Sequence, residues 1–133
     1  MRIYLIPLLG LVLLASAGAV DSVIVDFDAK GISDRAILEW TSGIEGSLAL
    51  YKVERSDNGR SFISIDNVDP RGSNMEYQYI DTNPLDNGNQ HIFYYRIKMV
   101  FADGSFTYSE TKSATLTFSG LQETWGTIKA MFR

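Results

Sequence analysis

From Ser22 onward, apolar and polar residues alternate in short runs, the period-2 pattern of strands that bury one face. Ser22 to Phe27 forms the first run. In the second, Ala36, Leu38 and Trp40 alternate with Ile37 and Glu39. Tyr51 and Val53 alternate with Lys52 and Glu54 in the third, which ends in Ser56, Asp57, Asn58 and Gly59. That cluster predicts a hairpin, because Asn and Gly accept the positive φ of a tight turn. Phe62, Ser64, Ile65 and Val68 make a short return strand, and Tyr77 and Tyr79 alternate with Gln78 and Ile80 in the fifth. The clearest run is Phe93 to Val100, where Phe93, Tyr95, Ile97 and Met99 share one face and Tyr94, Arg96 and Lys98 the other. Asp103-Gly104 then turns the chain into a last strand, Phe106 to Phe118, with Ala114, Leu116 and Phe118 on one side. Seven strands with a turn signal about every 8 to 12 residues predict an all-β sandwich. Its core is expected to contain Leu38, Trp40, Tyr51, Val53, Tyr95 and Ile97.

The two ends break this pattern. Met1 and Arg2 precede an uncharged, Leu-rich run that closes in Ala15, Ser16, Ala17, Gly18 and Ala19. A short positive start, an apolar centre and small residues at alternate positions predict a signal peptide over residues 1–19, cut after Ala17 or Ala19. An uncleaved anchor is the competing reading, and Pro7, Gly10 and the small residues argue against it. Its removal leaves roughly 115 residues, one domain's worth, over 20–118 with a tail beyond. In the tail, Ser119 and Gln122 form a capping box ahead of Leu121, Trp125, Ile128 and Phe132, whose spacing of four, three and four places them on one helical face. A short amphipathic helix over 119–133 is therefore expected. Alone in water such a helix is marginal, so it is expected to dock on its own sandwich, on a protein partner or neighbouring subunit, or, less favoured, on a membrane. Glu123 and the terminal carboxylate offset Lys129 and Arg133, which weakens the membrane option.

The order of motifs resembles a known family. A Trp ending the second strand, Tyr51-x-Val53 in the third, and Tyr95-Arg96-Ile97-Lys98-x-Val100 before a Gly turn are similar to a fibronectin type III domain. The variant of bacterial secreted and surface proteins is the nearest in pattern, through Val53-Glu54-Arg55-Ser56-Asp57-x-Gly59-x-x-Phe62, Tyr79-x-Asp81-x-Asn83-Pro84-Leu85 and Tyr94-Tyr95-Arg96-Ile97-Lys98. The resemblance covers roughly residues 22 to 118 and implies a seven-stranded immunoglobulin-like sandwich. Phe93 stands where many animal members carry the tyrosine of the tyrosine corner, so that hydroxyl's bond is not expected.

Composition narrows the chemistry. The absence of Cys excludes disulfides, thiolate metal sites and a lipid anchor on an N-terminal Cys. A net charge of −4, without a Lys/Arg cluster, disfavours nucleic acid. His91, the only histidine, has no nearby Ser, Cys or metal-ligand partner along the chain, and no nucleotide, hydrolase or metalloprotease motif is present, so neither catalysis nor a cofactor is expected. Asp66, Asp69, Asp81, Asp86, Asn87 and Asn89 lie in two loops and are oxygen ligands of the kind calcium takes, but their spacing matches no calcium motif and suits ordinary turns. Lys52 and Glu54 with Tyr94, Arg96 and Lys98 are expected on one outer face, as a solvated ladder of cross-strand charges or as a ligand face. The expected role is a non-enzymatic, exported binding module making protein contacts at the cell envelope, with the tail as docking or sorting element. A self-assembling envelope or filament subunit, or a carbohydrate-binding module stacking sugars on Tyr94 and Tyr108, are the alternatives.

Overall fold

A computed structural model of the protein describes residues 22–82, 84 and 91–118. These residues form eight strands: β1 (Ile24–Ile32), β2 (Arg35–Ser42), β3 (Leu48–Ser56), β4 (Ile63–Val68), β5 (Glu76–Asp81), β6 (Ile92–Phe101), β7 (Phe106–Tyr108) and β8 (Lys112–Thr115). Every pairing is antiparallel, in two sheets of order β1-β2-β5 and β4-β3-β6-β7, with β8 also on β6. The leader (1–19), the tail with Leu121, Trp125, Ile128 and Phe132, and the loop residues Asp86, Asn87 and Asn89 lie outside the described residues.

Alternation drives the packing. Phe27 and Ala29 from β1, Ala36, Leu38 and Trp40 from β2, and Tyr77 from β5 point inward. They meet Tyr51, Val53, Phe93, Tyr95, Ile97 and Met99 from the other sheet, closed at one side by Ala114 and Leu116. Each large side chain removed from water contributes about 1.5–3 kcal/mol, so this two-sheet core carries the fold without disulfides. The hairpin after β3 forms as its residues suggest. Gly59 takes φ +78°, and Asn58 Oδ1 accepts hydrogen bonds from the Ser56 hydroxyl and from the amides of Arg60 and Ser61.

Two expectations need correction. β1 runs to Ile32 rather than stopping at Phe27, because Asp28 and Lys30 continue the alternation with their side chains outward. The expected single strand from Phe106 to Phe118 is two strands, giving eight in place of seven. At the break the Ile97 amide donates to the Ser109 side-chain hydroxyl instead of to a backbone carbonyl, while the Ser109 amide donates to Ile97 O. This irregularity ends β7 and lets β8 resume pairing two residues beyond Glu110. The last segment then closes the sandwich against β1. A Cβ at Gly31 would lie 1.9 Å from Thr115 O, and the Thr117 amide donates to Ser33 O.

Candidate functional site

Two buried polar clusters tie the two sheets together. Glu45, only 6 % exposed, sits between Gly43 and Gly46 and accepts at Oε2 from the hydroxyls of Tyr51 (2.6 Å) and Tyr77 (2.5 Å). Its Oε1 accepts from the Gly72 amide at 2.7 Å, so one carboxylate pins the 69–75 loop to the core. Trp40 stacks on Tyr77 at 5.2 Å and meets Tyr51 edge-on. That packing leaves Trp40 Nε1 without an acceptor, the one such buried side-chain atom among the described residues. In the second cluster Asp81 accepts from Arg55 and from the Tyr95 hydroxyl, both at 2.7 Å. Tyr95 thus supplies the hydroxyl that Phe93, fully in the core, lacks, but directs it to a side chain.

Burial and neighbouring carboxylates shift the phenols together. Burial, then the Glu45 carboxylate, pushes the Tyr51 hydroxyl far above its ordinary range, and the same causes raise Tyr77. Burial and Asp81 raise Tyr95 likewise, and burial with Asp66 pushes Tyr79 up to about 12. These groups stay protonated and act as hydrogen-bond donors, which is a holding role and not an acid–base one. Of the six oxygen ligands considered for calcium, Asp66 and Asp81 lie in β4 and β5 rather than in loops; Asp81 is buried and committed to Arg55 and Tyr95, while Asp66, which accepts from Tyr79, and Asp69 are exposed. His91 is exposed, its ring 6.1 Å from that of Phe118.

The outer faces of the two sheets are the surfaces left for recognition. On the β4-β3-β6-β7 sheet, the register aligns Asn67, Lys52, Lys98 and Tyr108 in one row across four strands, with Leu50, Val100 and Phe106 in the next. Lys52 and Lys98 are thus direct cross-strand neighbours of like charge. Phe106 and Tyr108 stand 52 % and 40 % exposed. Lys98 Nζ lies 4.1 Å from the Phe106 ring centre. Arg96 is held between the rings of Phe62 (4.0 Å) and Tyr108 (3.8 Å). The expectation of a fully solvated charge ladder fails at Glu54, which is 7 % exposed and accepts from Arg96 Nε at 2.7 Å beneath those rings. Tyr94 shares this face, but one side of its ring lies over Gly59, 3.7 Å from where a Cβ would stand.

The β1-β2-β5 sheet is the opposite in sign. Asp28 pairs with Glu39, and Asp26 and Glu76 flank Thr41 in the adjacent row. These residues line a shallow depression of about 530 Å³. Lys30 is 3.6 Å from Glu39 and shares its own row with the apolar Ile37 and Ile80. This acidic face and the rings of Phe62 and Phe106 are not among the surfaces expected from the sequence. The signal was present, since Asp26, Asp28 and Glu39 fall on alternate positions of their strands. A third feature is an open cleft of about 580 Å³ where the edges of β1 and β7 diverge, lined by Val23, Val25, Phe27, Met99, Phe101 and Tyr108 among others. With Asp26 and Glu110 at its walls, it gathers no histidine or other recognisable nucleophile–base pair.

No protein-family model matches the chain, and no curated protein does. Solved structures do. A Fn3-like protein from Clostridium thermocellum is 22 % identical over 70 % of this chain and 90 % of its own, with a TM-score of 0.52. Pectate lyase PelI from Erwinia chrysanthemi, solved in complex with tetragalacturonic acid, is 17 % identical over 71 % of this chain with a TM-score of 0.53. Pectate lyase Pel3 from Pectobacterium carotovorum is 16 % identical over 66 % of this chain with a TM-score of 0.50. The chain spans 28 % and 26 % of these two enzymes, so the likeness concerns about a quarter of each. At such identities the shared property is the fold, and the described residues form an Fn3-like, antiparallel two-sheet sandwich.

Proposed function

We propose that this protein is an exported, non-enzymatic module that makes protein contacts at the cell envelope through its sheet faces, with the residues beyond Phe118 as docking or sorting element. The observation that carries the reading is the row in which Lys52 lies directly across from Lys98 beside exposed Tyr108 and Phe106. Like charges held side by side destabilise a free sheet, and exposed rings gain little from water. A partner surface relieves both. The buried polar residues, by contrast, are consumed in joining the two sheets and in holding the 69–75 loop. The leader read in the sequence supports export, and Leu121, Trp125, Ile128 and Phe132 supply an apolar stripe in need of a surface.

Deletion of residues 120–133 is the test. The truncated protein should keep the far-UV circular dichroism of a sandwich while its distribution among medium, envelope and soluble fractions changes. Unchanged fractionation together with an unchanged oligomer profile counts against the proposal. A carbohydrate-binding role is the second reading, favoured by the exposed rings of Phe106 and Tyr108. Tyr94 is a weaker stacking residue in that reading because one face of its ring covers Gly59. Glycan-array binding lost in Tyr108→Ala would favour it, and an array without signal would remove it.

A further inference from the structure

The two outer faces carry matching patterns of opposite charge. On one, the row containing Lys52 and Lys98 adjoins the apolar row Leu50, Val100 and Phe106. On the other, the row containing Asp28 and Glu39 adjoins the row of Lys30, Ile37 and Ile80, with Asp26 and Glu76 beyond. Each face sets like charges opposite one another, an arrangement unfavourable within either sheet alone. Arg96 is already neutralised by Glu54, and Lys30 is the partner of Glu39. Arg71 lies at the rim of the acidic face, its guanidinium over the Tyr77 ring and donating to the Glu76 carbonyl. What remains is a basic pair on one side of the sandwich and an acidic excess on the other.

We infer that the partner of these faces is a second copy of this chain, stacked front to back so that the Lys52/Lys98 face of one molecule covers the Asp28/Glu39 face of the next. The inference rests on the reading of the chain as a contact module and names its partner. Charge row meets charge row, and Leu50, Val100 and Phe106 meet Ile37 and Ile80, so one contact relieves both unfavourable pairs. Because the two patches differ and lie on opposite sides, the contact is heterologous. It does not close on a pair, and it extends into strings of molecules. The size of the faces sets its strength. Three strands about 4.8 Å apart and eight residues long cover roughly 350 Å², well under the about 800 Å² per partner of a stable complex. The association is therefore reversible and governed by salt.

Sedimentation velocity of the purified exported protein tests this. At about 20 mM NaCl the sedimentation coefficient should rise with protein concentration, and at about 500 mM the association constant should fall at least tenfold. The double variants K52E/K98E and D28K/E39K should each be monomeric under the low-salt conditions. All four reversals in one chain should restore association, since both faces then change sign together. Circular dichroism and melting temperature verify that each variant folds, and the four positions are outside the buried clusters. A wild-type chain that stays monomeric in low salt, or a K52E/K98E variant that associates like wild type, overturns the inference. If the chain is monomeric yet truncation at residue 120 still redistributes it, the contact reading stands and the second copy falls.

Discussion

The Tyr77 hydroxyl donates to Glu45 Oε2 at 2.5 Å, joining a strand of one sheet to a loop 32 residues earlier in the chain. Tyr51 donates to the same oxygen from the opposite sheet, so a single atom ties both layers together. Replacing Glu45 by Ala strands two buried hydroxyls and the Gly72 amide. With hydrogen bonds to a charged group contributing about 1.5–3 kcal/mol each, Glu45→Ala should destabilise the fold by about 3 kcal/mol or more. Glu45→Gln, which keeps one acceptor oxygen, should lose less. Urea denaturation midpoints at constant slope read the difference.

Asp81 plays the corresponding part at the other cluster, with side-chain exposures of 13 % for Arg55 and 5 % for Asp81. Asp81→Ala leaves a nearly buried guanidinium without its carboxylate, and a loss of about 3–5 kcal/mol is expected. Arg55→Met combined with Asp81→Ala should cost less than the two single changes added together. A double-mutant cycle that came out additive would show that the pair contributes nothing as a pair.

Gly31 has backbone where a side chain would go. Gly31→Ala places a methyl group against Thr115 O, and β1 and β8 must separate to admit it. Overpacking of this kind costs about 1–3 kcal/mol, readable as a lower melting temperature. Gly104→Ala meets no neighbouring atom, so its cost comes from φ +90° alone.

Alkaline pH should unfold the protein. The phenols of Tyr51, Tyr77, Tyr79 and Tyr95 have folded values above the ordinary 10.0, so above about pH 10 the folded chain holds more protons than the unfolded one. Their contribution to stability is complete below that pH and declines as pH rises through the folded values. Tyrosinate absorbance should show Tyr79 ionising near pH 12, while Tyr51 and Tyr95 ionise with unfolding. Loss of secondary structure beginning below pH 9 would contradict this origin.

The strands were legible because a half-buried sheet writes its two faces at period two, and Leu38, Trp40, Tyr51, Val53, Tyr95 and Ile97 are all buried at those positions. Glu45 was not legible. A glutamate between two glycines reads as exposed loop, and its partners lie 6 and 32 residues away, beyond any local pattern. The break at Ser109 was equally silent, since a Ser substituting its hydroxyl for a backbone acceptor leaves the Thr/Ser-rich run looking continuous. The charged faces fall between these cases. Alternation located Lys52, Arg96 and Lys98 on one surface, but the opposition of Lys52 to Lys98 depends on register, which sequence spacing alone does not fix.

The contact between β1 and β8 also decides how the sandwich bears tension. Gly31 lies by Thr115 and Ser33 by Thr117, so the two segments run in the same direction and the described chain leaves from opposite ends, at Ser22 and at Phe118. A pull on those ends slides β1 and β8 past each other, loading their contacts together in shear instead of peeling them apart one at a time. Tension applied between Ser22 and Phe118 therefore acts along the direction in which these contacts share the load.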